Sequence, residues 1–338
     1  MDRGRRRAGQ PVARPVAGGL GAAPAVRRAR AGAADHPAHL GGELPEPSER
    51  EGGGVNARTI RAGLRRGGVE YRQFLRSPKD VGVGLIGTVG IFLALAISQR
   101  GSDWPGTDTP KASIMAAGFV AFSVFSVAIM GLPMTIAADR EEGALLRVRS
   151  LPGGTRAYTI GRVASALGQI LTYVALMLAA ALLFTETRLP ETAGDWFTLV
   201  WVLVLGTLAV LPLGIALGSL MPGPRTAANL LSVPMMVLMI ISGVMIPISV
   251  MPEPVQWVAQ AFPLYWQGLG LRSALLPDTM LAAEIGQDWR TLETAAVLGA
   301  WAIAGMVLAP WLLRRVTRKE SGSRLEARQR ARAAQASY

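Results

Sequence analysis

The stretch Trp196–Pro224, WFTLVWVLVLGTLAVLPLGIALGSLMPGP, contains no Asp, Glu, Lys or Arg. A helix rises about 1.5 Å per residue, so about 20 apolar residues cross the roughly 30 Å of hydrocarbon in a bilayer. This stretch exceeds that length, and it lacks the alternation of polar and apolar residues that a barrel strand shows. It therefore predicts a transmembrane helix.

Five further stretches share this lack of charge and are rich in Leu, Val, Ile, Ala and Met. They are Val81–Gln99, Ala112–Ala138, Val163–Thr185, Thr226–Pro252 and Thr294–Leu313. One such stretch is compatible with a buried core helix, but six in one chain are not. We predict an all-α integral membrane protein with six transmembrane helices, in which each span satisfies its own backbone hydrogen bonds.

The composition agrees with a membrane protein and excludes several kinds of site. Half of the 338 residues are hydrophobic and 17% are charged, whereas soluble domains have about 25% charged residues. The chain has no Cys, so disulfides and thiolate metal sites are excluded. His36 and His39 both precede the first span, which excludes a histidine site within the membrane. We expect no metal and no cofactor.

Charge is distributed unequally between alternate connecting segments. The termini and the segments after the second and fourth predicted spans sum to +17, and the remaining connections sum to −5, which together give the net charge of +12. By the positive-inside rule, both termini are expected in the cytoplasm of a multi-pass protein of the cell membrane. Basic flanks of apolar spans account for the positive charge, so we expect no nucleic-acid partner.

The polar ends of the chain differ in composition from the predicted spans. Residues 1–54 are rich in Arg, Ala, Gly and Pro, a composition that does not fold alone. Two interpretations remain open for them: a disordered basic extension, or a start site assigned too far upstream. Residues 81–315 are predicted to form the six-helix transmembrane domain, and 316–338 a basic cytoplasmic tail.

Residues 55–80 are predicted to form an amphipathic helix at the membrane interface. Ile60, Leu64, Tyr71 and Leu75 recur at helical spacing, and six arginines surround them. An apolar stripe with basic surroundings suits a helix that lies on an anionic lipid leaflet. The adjacent glycines 67 and 68 weaken this helix and are expected to favour two pieces.

The segment Met245–Glu293 is neither a plain loop nor a full span. Four prolines interrupt it, and Trp257, Tyr265 and Trp266 are residue types that settle at membrane interfaces. We predict a short re-entrant or interfacial helical element before the last span. The alternative is an ordinary loop on the outer surface.

Residues that could catalyse a reaction are missing from the spans. The chain has no G-x-x-x-x-G-K-[ST] phosphate loop and no H-E-x-x-H motif. The charge-free stretches hold no carboxylate or base of the kind that ion-coupled transporters keep near the membrane centre. We therefore expect a non-enzymatic protein, and we expect the energy for any transport to come from a partner.

The loop after the second predicted span reads ADREEGALLRVRSLPGGTRAYTIGR. Asp139, Glu141 and Glu142 come early and arginines come late, which favours a short helix with both ends of its dipole complemented. Pro152 is expected to stop this helix. Two interpretations remain open: a helix that docks on a partner subunit, or a solvated loop whose charges only fix the topology.

The pattern resembles the permease subunit of ABC-2-type transporters, the group that includes daunorubicin-resistance-type drug exporters. The resemblance covers residues 55–315 and includes the loop motif Glu141-Glu142-Gly143-Ala144-Leu145, followed by Leu151-Pro152. It implies a dimeric membrane channel, formed by two copies or by a pair of permeases, and a separate ATP-binding subunit. It also implies that the loop, with Asp139 at its start, and the amphipathic helix contact that subunit.

The leading hypothesis is therefore an ATP-driven exporter of a lipophilic or amphiphilic compound. The alternatives are a transporter driven by an ion gradient and a membrane scaffold without transport activity. Transport that survives loss of the proton gradient but stops on ATP depletion separates the first two hypotheses.

Overall fold

The computed structural model describes residues 56–149, 151, 153–309 and 311–312; of Asp80, Val83, Leu85, Leu146 and Arg149 it describes the backbone alone. The predicted basic extension at 1–54, the residue Val55 and the predicted tail at 316–338 lie outside the described residues.

The described residues form helices joined by short turns, and they contain no strand beyond a single bridge between Asp103 and Pro110. The helices in chain order are α1 (Ala57–Arg76), α2 (78–98), α3 (Lys111–Glu141), α4 (Ala144–Arg149), α5 (Gly154–Phe184), α6 (Ala193–Leu220), α7 (Pro224–Ile241), α8 (Glu253–Ala261), α9 (Pro263–Leu275) and α10 (Thr291–Ala309).

Five of these helices, α3, α5, α6, α7 and α10, are long and apolar enough to cross a membrane. The first predicted span is present as α2, which contains a π turn at Leu85–Gly90. Its apolar part includes Ile86–Ser98, and Pro78 and Lys79 lie at the start of the helix. The prediction of an all-α membrane protein is confirmed.

The fifth predicted span is shorter than its charge-free stretch. That stretch continues to Pro252, whereas α7 ends at Ile241. The amide of Ser242 donates to the carbonyl of Leu238, and Gly243 then adopts a φ of 74°. Glycine reaches this left-handed conformation without a steric cost, so it ends the helix inside an apolar run.

Connections alternate between the two ends of the bundle. At one end, Arg100 Nη2 donates to the carbonyl oxygen of Phe184 at 3.2 Å, which joins the end of α2 to the end of α5. At the other end, Arg140 joins the end of α3 to the end of α6. We name the end at Arg140 the inner end and the opposite end the outer end, following the charge-based prediction.

The bundle is organised around α3. The apolar window of α3 is 78% buried, compared with 17% for α7 and 28% for α10. α7 and α10 therefore present broad apolar surfaces that include Leu230, Val233, Ile303 and Val307. Such surfaces require lipid or another apolar partner around the bundle.

The segment before the last span forms two consecutive helices rather than an ordinary loop, which confirms the predicted helical element. α9 is buried and packs against α3 and α6. Small residues allow this packing, because a Cβ on Gly206 would lie 2.5 Å from the Gln267 side chain. A Cβ on Gly270 would lie 2.7 Å from Val202. α9 thus re-enters the bundle from its outer end.

A buried ion pair secures α9 and corrects an inference from the sequence. Charges appeared to be absent from the interior, but Arg272 on α9 and Glu284 are both buried. Arg272 Nε donates to Glu284 Oε1 at 2.6 Å and Nη2 to Oε2 at 3.3 Å, while Nη1 donates to the carbonyl of Gly243 at 3.0 Å. Both residues lie outside the charge-free stretches, in a segment that the sequence places between spans.

Replacing one member of this pair is expected to destabilise the fold more than replacing both. Glu284→Gln leaves the buried Arg272 without its counter-charge, which costs about 3–5 kcal/mol. The double variant Arg272→Met/Glu284→Leu removes both charges and is expected to cost less. Chemical denaturation in mixed micelles, followed by tryptophan fluorescence, measures the two free energies of unfolding. A double variant that is less stable than Glu284→Gln contradicts this account.

Candidate functional site

α1 lies along the inner half of α5, and glycines make this close contact possible. A Cβ on Gly63 would lie 2.8 Å from the carbonyl oxygen of Ala157, and one on Gly67 would lie 2.6 Å from that of Gly161. Neither distance is tolerated between real atoms, so the two backbones approach each other only because these side chains are absent. Small residues serve the same purpose between helices in membranes generally.

The predicted apolar stripe of α1 divides into two parts. Tyr71 faces α5, where its hydroxyl lies 2.7 Å from Thr172 Oγ1. Ile60, Leu64 and Leu75 stay exposed and form an apolar flank that is available to lipid. The helix itself is continuous from Ala57 to Arg76, so the expectation that its two central glycines favour two pieces is wrong. Packing on α5 outweighs their low helix propensity.

Five side chains join α1, α3 and α5 near the inner end, and we call them the inner polar cluster: Arg66, Glu70, Asp139, Tyr158 and Arg162. Asp139 Oδ2 accepts hydrogen bonds from the Tyr158 hydroxyl at 2.6 Å and from Arg162 Nε at 2.9 Å. Arg162 Nη1 lies 3.2 Å from Glu70 Oε2. Arg66 donates to Glu70 at 2.8 Å, and its guanidinium lies over the Tyr158 ring.

The inner polar cluster is a joint between helices rather than an open docking surface. Its two arginines balance its two carboxylates, so it carries no net charge. The Asp139 side chain, which pairs with Arg162, is only 14% exposed. Water screens this shielded ion pair less than it screens an ion pair at the surface. Asp139 thus joins the end of α3 to α5, and its predicted contact with a partner stays a prediction.

The turn that follows α3 differs from the predicted arrangement. The acids were expected at the start of a short helix, whereas α3 continues through Asp139 to Glu141. Gly143 then takes a φ of 73°, and its amide donates to the carbonyl of Arg140 at 3.1 Å. The left-handed glycine ends α3, and the short helix α4 begins only at Ala144.

The remaining predicted loop residues differ in their accessibility. Glu141 and Glu142 are exposed, and Gly143 and Leu145 are half-buried. Pro152 lies outside the described residues, and its neighbour Leu151 is exposed. The structure therefore presents two adjacent carboxylates at the inner corner where α3 turns into α4.

Arg140 belongs to the same corner, and the sequence analysis did not single it out. Its Nη1 donates to the carbonyl oxygens of Ser219 at 2.5 Å and Met221 at 2.9 Å. These carbonyls end α6, where a cation complements the helix dipole. The basic residue is visible in the sequence, but its acceptor lies about 80 positions away. Only the fold brings the two together.

The inner corner and its neighbouring helices lie in a part of the chain that matches a known protein family. A protein-family model described as an ABC-2 type transporter matches residues 69–276, which is more than half of the chain. The chain belongs to the ABC-2 type transporter family. No curated protein matches this chain. The ABC-2 match extends from the middle of α1 to the end of α9, and α10 follows it. Membership makes the protein a multi-pass transport permease.

The glycine contact in this ABC-2 permease provides a matched pair of substitutions. Gly67→Ala places a methyl group against α5 and is expected to destabilise the α1–α5 contact by about 1–3 kcal/mol. Gly68→Ala is the control, because a Cβ there meets nothing within 4 Å, and we expect it to stabilise α1 by about 0.5–1 kcal/mol. Limited proteolysis of α1 in nanodiscs measures the difference. Equal protease sensitivity in the two variants contradicts the predicted packing.

Proposed function

We propose that this chain is the permease subunit of an ATP-driven exporter of lipophilic or amphiphilic compounds. The observation that carries the proposal is the inner corner, where Glu141 and Glu142 are exposed. They lie beside the inner polar cluster and Arg140, which together join α1, α3, α5 and α6. A partner that pushes on this corner acts on the spans directly. The family match supports a permease role, and the phosphate-loop motif of ATPases is missing from the sequence.

The proposed partner is an ATP-binding subunit that contacts the inner corner. The carboxylates of Glu141 and Glu142 attract a basic surface, and α4 with the exposed Leu151 supplies a short apolar contact. Short helices that enter a groove on a partner are a common mode of recognition. The apolar flank of α1 rests on lipid beside this contact.

Motion at the corner is transmitted through its bonds. Asp139 links the end of α3 to α5 and, through Arg162, to α1. Arg140 links the same end to α6. Displacement of the corner when the partner binds ATP therefore moves these helices together. A second permease copy packs on the apolar surfaces of α7 and α10. The two copies together then enclose the proposed transport pathway.

The ion-gradient alternative receives less support from the interior charges. The carboxylate of Glu284 accepts two hydrogen bonds from Arg272, a residue that stays protonated in proteins. Proton-coupled transport requires a buried group that gains and loses its proton during the cycle. A carboxylate held by a permanent cation is poorly suited to that exchange.

The proposed location is the cell membrane, with the inner end in the cytoplasm. The chain contains no Cys, so single cysteines can be labelled without background. We expect Glu142→Cys to react with a membrane-impermeant maleimide only in permeabilised cells. We expect Asp288→Cys, which is exposed at the outer end, to react in intact cells. The reverse pattern would invert the proposed topology.

Reversing the two exposed carboxylates tests the coupling role. In the variant Glu141→Lys/Glu142→Lys, two lysines face the partner's basic surface and repel it. We therefore expect the ATP-binding subunit to be lost from the tagged permease. Purification from native membranes, followed by ATPase measurement and mass spectrometry for a subunit with a phosphate-loop motif, provides the readout. The matched control is Asp103→Lys/Asp288→Lys, which reverses two carboxylates at the outer end and is expected to retain the subunit. Retention by both variants is the result that refutes the proposed contact.

A further inference from the structure

The segment between α9 and α10, residues 276–290, is backbone-strained near its end, and we call it the outer strap. Gln287 has a φ of 52° and Arg290 a φ of 47°. A residue with a Cβ is strained in this left-handed conformation. Among the described residues, these are the two with a side chain and a positive φ. Strain of this kind persists only where surrounding contacts hold the residue in place.

The two strained residues differ in what their side chains contact. Gln287 is exposed, and no hydrogen bond or ion pair joins its side chain to another residue in the described ranges. The Arg290 side chain is only 22% exposed, and its Nε lies 3.6 Å from Oε1 of the more exposed Glu293. Side-chain contacts therefore hold Arg290, and they reach beyond its own segment.

Arg290 joins the outer strap to both helices of the α8–α9 hairpin. Its Nη1 donates to Gln260 Oε1, near the end of α8, at 2.8 Å. Its guanidinium carbon lies 4.7 Å from the centre of the Trp266 ring on α9. Both partners are fixed in turn. Gln260 Nε2 donates to the carbonyl of Gln256 at 3.1 Å, which leaves Oε1 for Arg290, and Trp266 Nε1 donates to the carbonyl of Gln260 at 2.6 Å.

The hairpin needs such a connection because α8 has little packing of its own. Ala259 is the one buried residue that α8 contributes. Trp301 on α10 donates from Nε1 to the carbonyl of Ala261 at 3.1 Å. The rest of the strap is held by contacts that do not reach α8, such as the hydrogen bond from Trp289 Nε1 to Asp278 Oδ1 at 2.9 Å.

We propose that Arg290 is a positioning residue that holds the α8–α9 hairpin against α10 and keeps the outer end of the bundle closed to water. A hydrogen bond from a cation and a cation–π contact are both strong where water is largely excluded. Release of Arg290 frees the hairpin and also relieves the backbone strain, so the strain offsets part of the cost of opening. The use of this opening for export rests on the proposed function, whereas the hold on the hairpin does not.

Hydrogen–deuterium exchange of the purified full-length chain in nanodiscs tests this role. Helix amides exchange when the helix opens locally and water reaches them. Arg290→Gly removes the side chain and relieves the strain at once. We expect exchange in residues 253–275 to become about tenfold faster, because one charged hydrogen bond and one cation–π contact are lost. The amides of α3 and α6 are expected to keep their original rates.

Gln287→Gly is the matched control, because it relieves the same kind of strain without removing a contact. We expect it to leave exchange in residues 253–275 unchanged or slower. Arg290→Lys keeps a cation but loses the planar guanidinium, so an intermediate rate is expected. Gln260→Met removes the acceptor on α8. In the Arg290→Gly background it is expected to add little, because the two residues act through one shared contact.

Unchanged exchange of the hairpin in Arg290→Gly would overturn the proposal, since relief of strain would then be the whole effect. A uniform rise in all helices would overturn it too, because Arg290 would then support the entire fold. Full additivity of Gln260→Met and Arg290→Gly would contradict the shared contact. None of these measurements needs the ATP-binding subunit. Failure of the inner-corner test together with local opening in Arg290→Gly would refute the coupling role and leave the role of Arg290 intact.

Discussion

The hydrocarbon core of a membrane offers no hydrogen-bond partner to a backbone group, and the structure follows from this constraint. Each span closes its own hydrogen bonds as a helix, so charged side chains collect at the two ends of the bundle. Where charge does enter the interior, it is paired. Arg272 donates to both oxygens of Glu284 and to a carbonyl freed at the end of α7.

Lipid also removes much of the hydrophobic drive between helices, so close packing has to hold them together. Glycines provide it at several crossings. A Cβ on Gly118 or on Gly214 would overlap the backbone of a neighbouring segment, and Gly67 is equally confined against α5. These contacts bring polar side chains within bonding distance. Without the α1–α5 approach, Glu70 would not reach Arg162.

The apolar spans could be predicted because hydropathy is a local property of the sequence. The charges of Glu141 and Glu142 are local in the same sense, and both side chains are exposed. The inner polar cluster could not be predicted, since it joins residues that lie between 4 and 92 positions apart. Asp139 looked like a surface acid until α5 placed Arg162 beside it. The early end of α7 depended on one glycine, Gly243, within a uniformly apolar stretch.

A single helix connects the inner corner with the outer end of the bundle. α3 contributes Asp139 and Arg140 at its inner end and Ser113 at its outer end. Its 31 residues extend about 46 Å at 1.5 Å per residue, and most of its surface is packed against neighbours. A π turn at Val127–Gly131 precedes Pro133, a residue that has no amide hydrogen to donate to the preceding turn. Displacement of the corner by the proposed partner would therefore be carried along α3 to the outer end of the bundle.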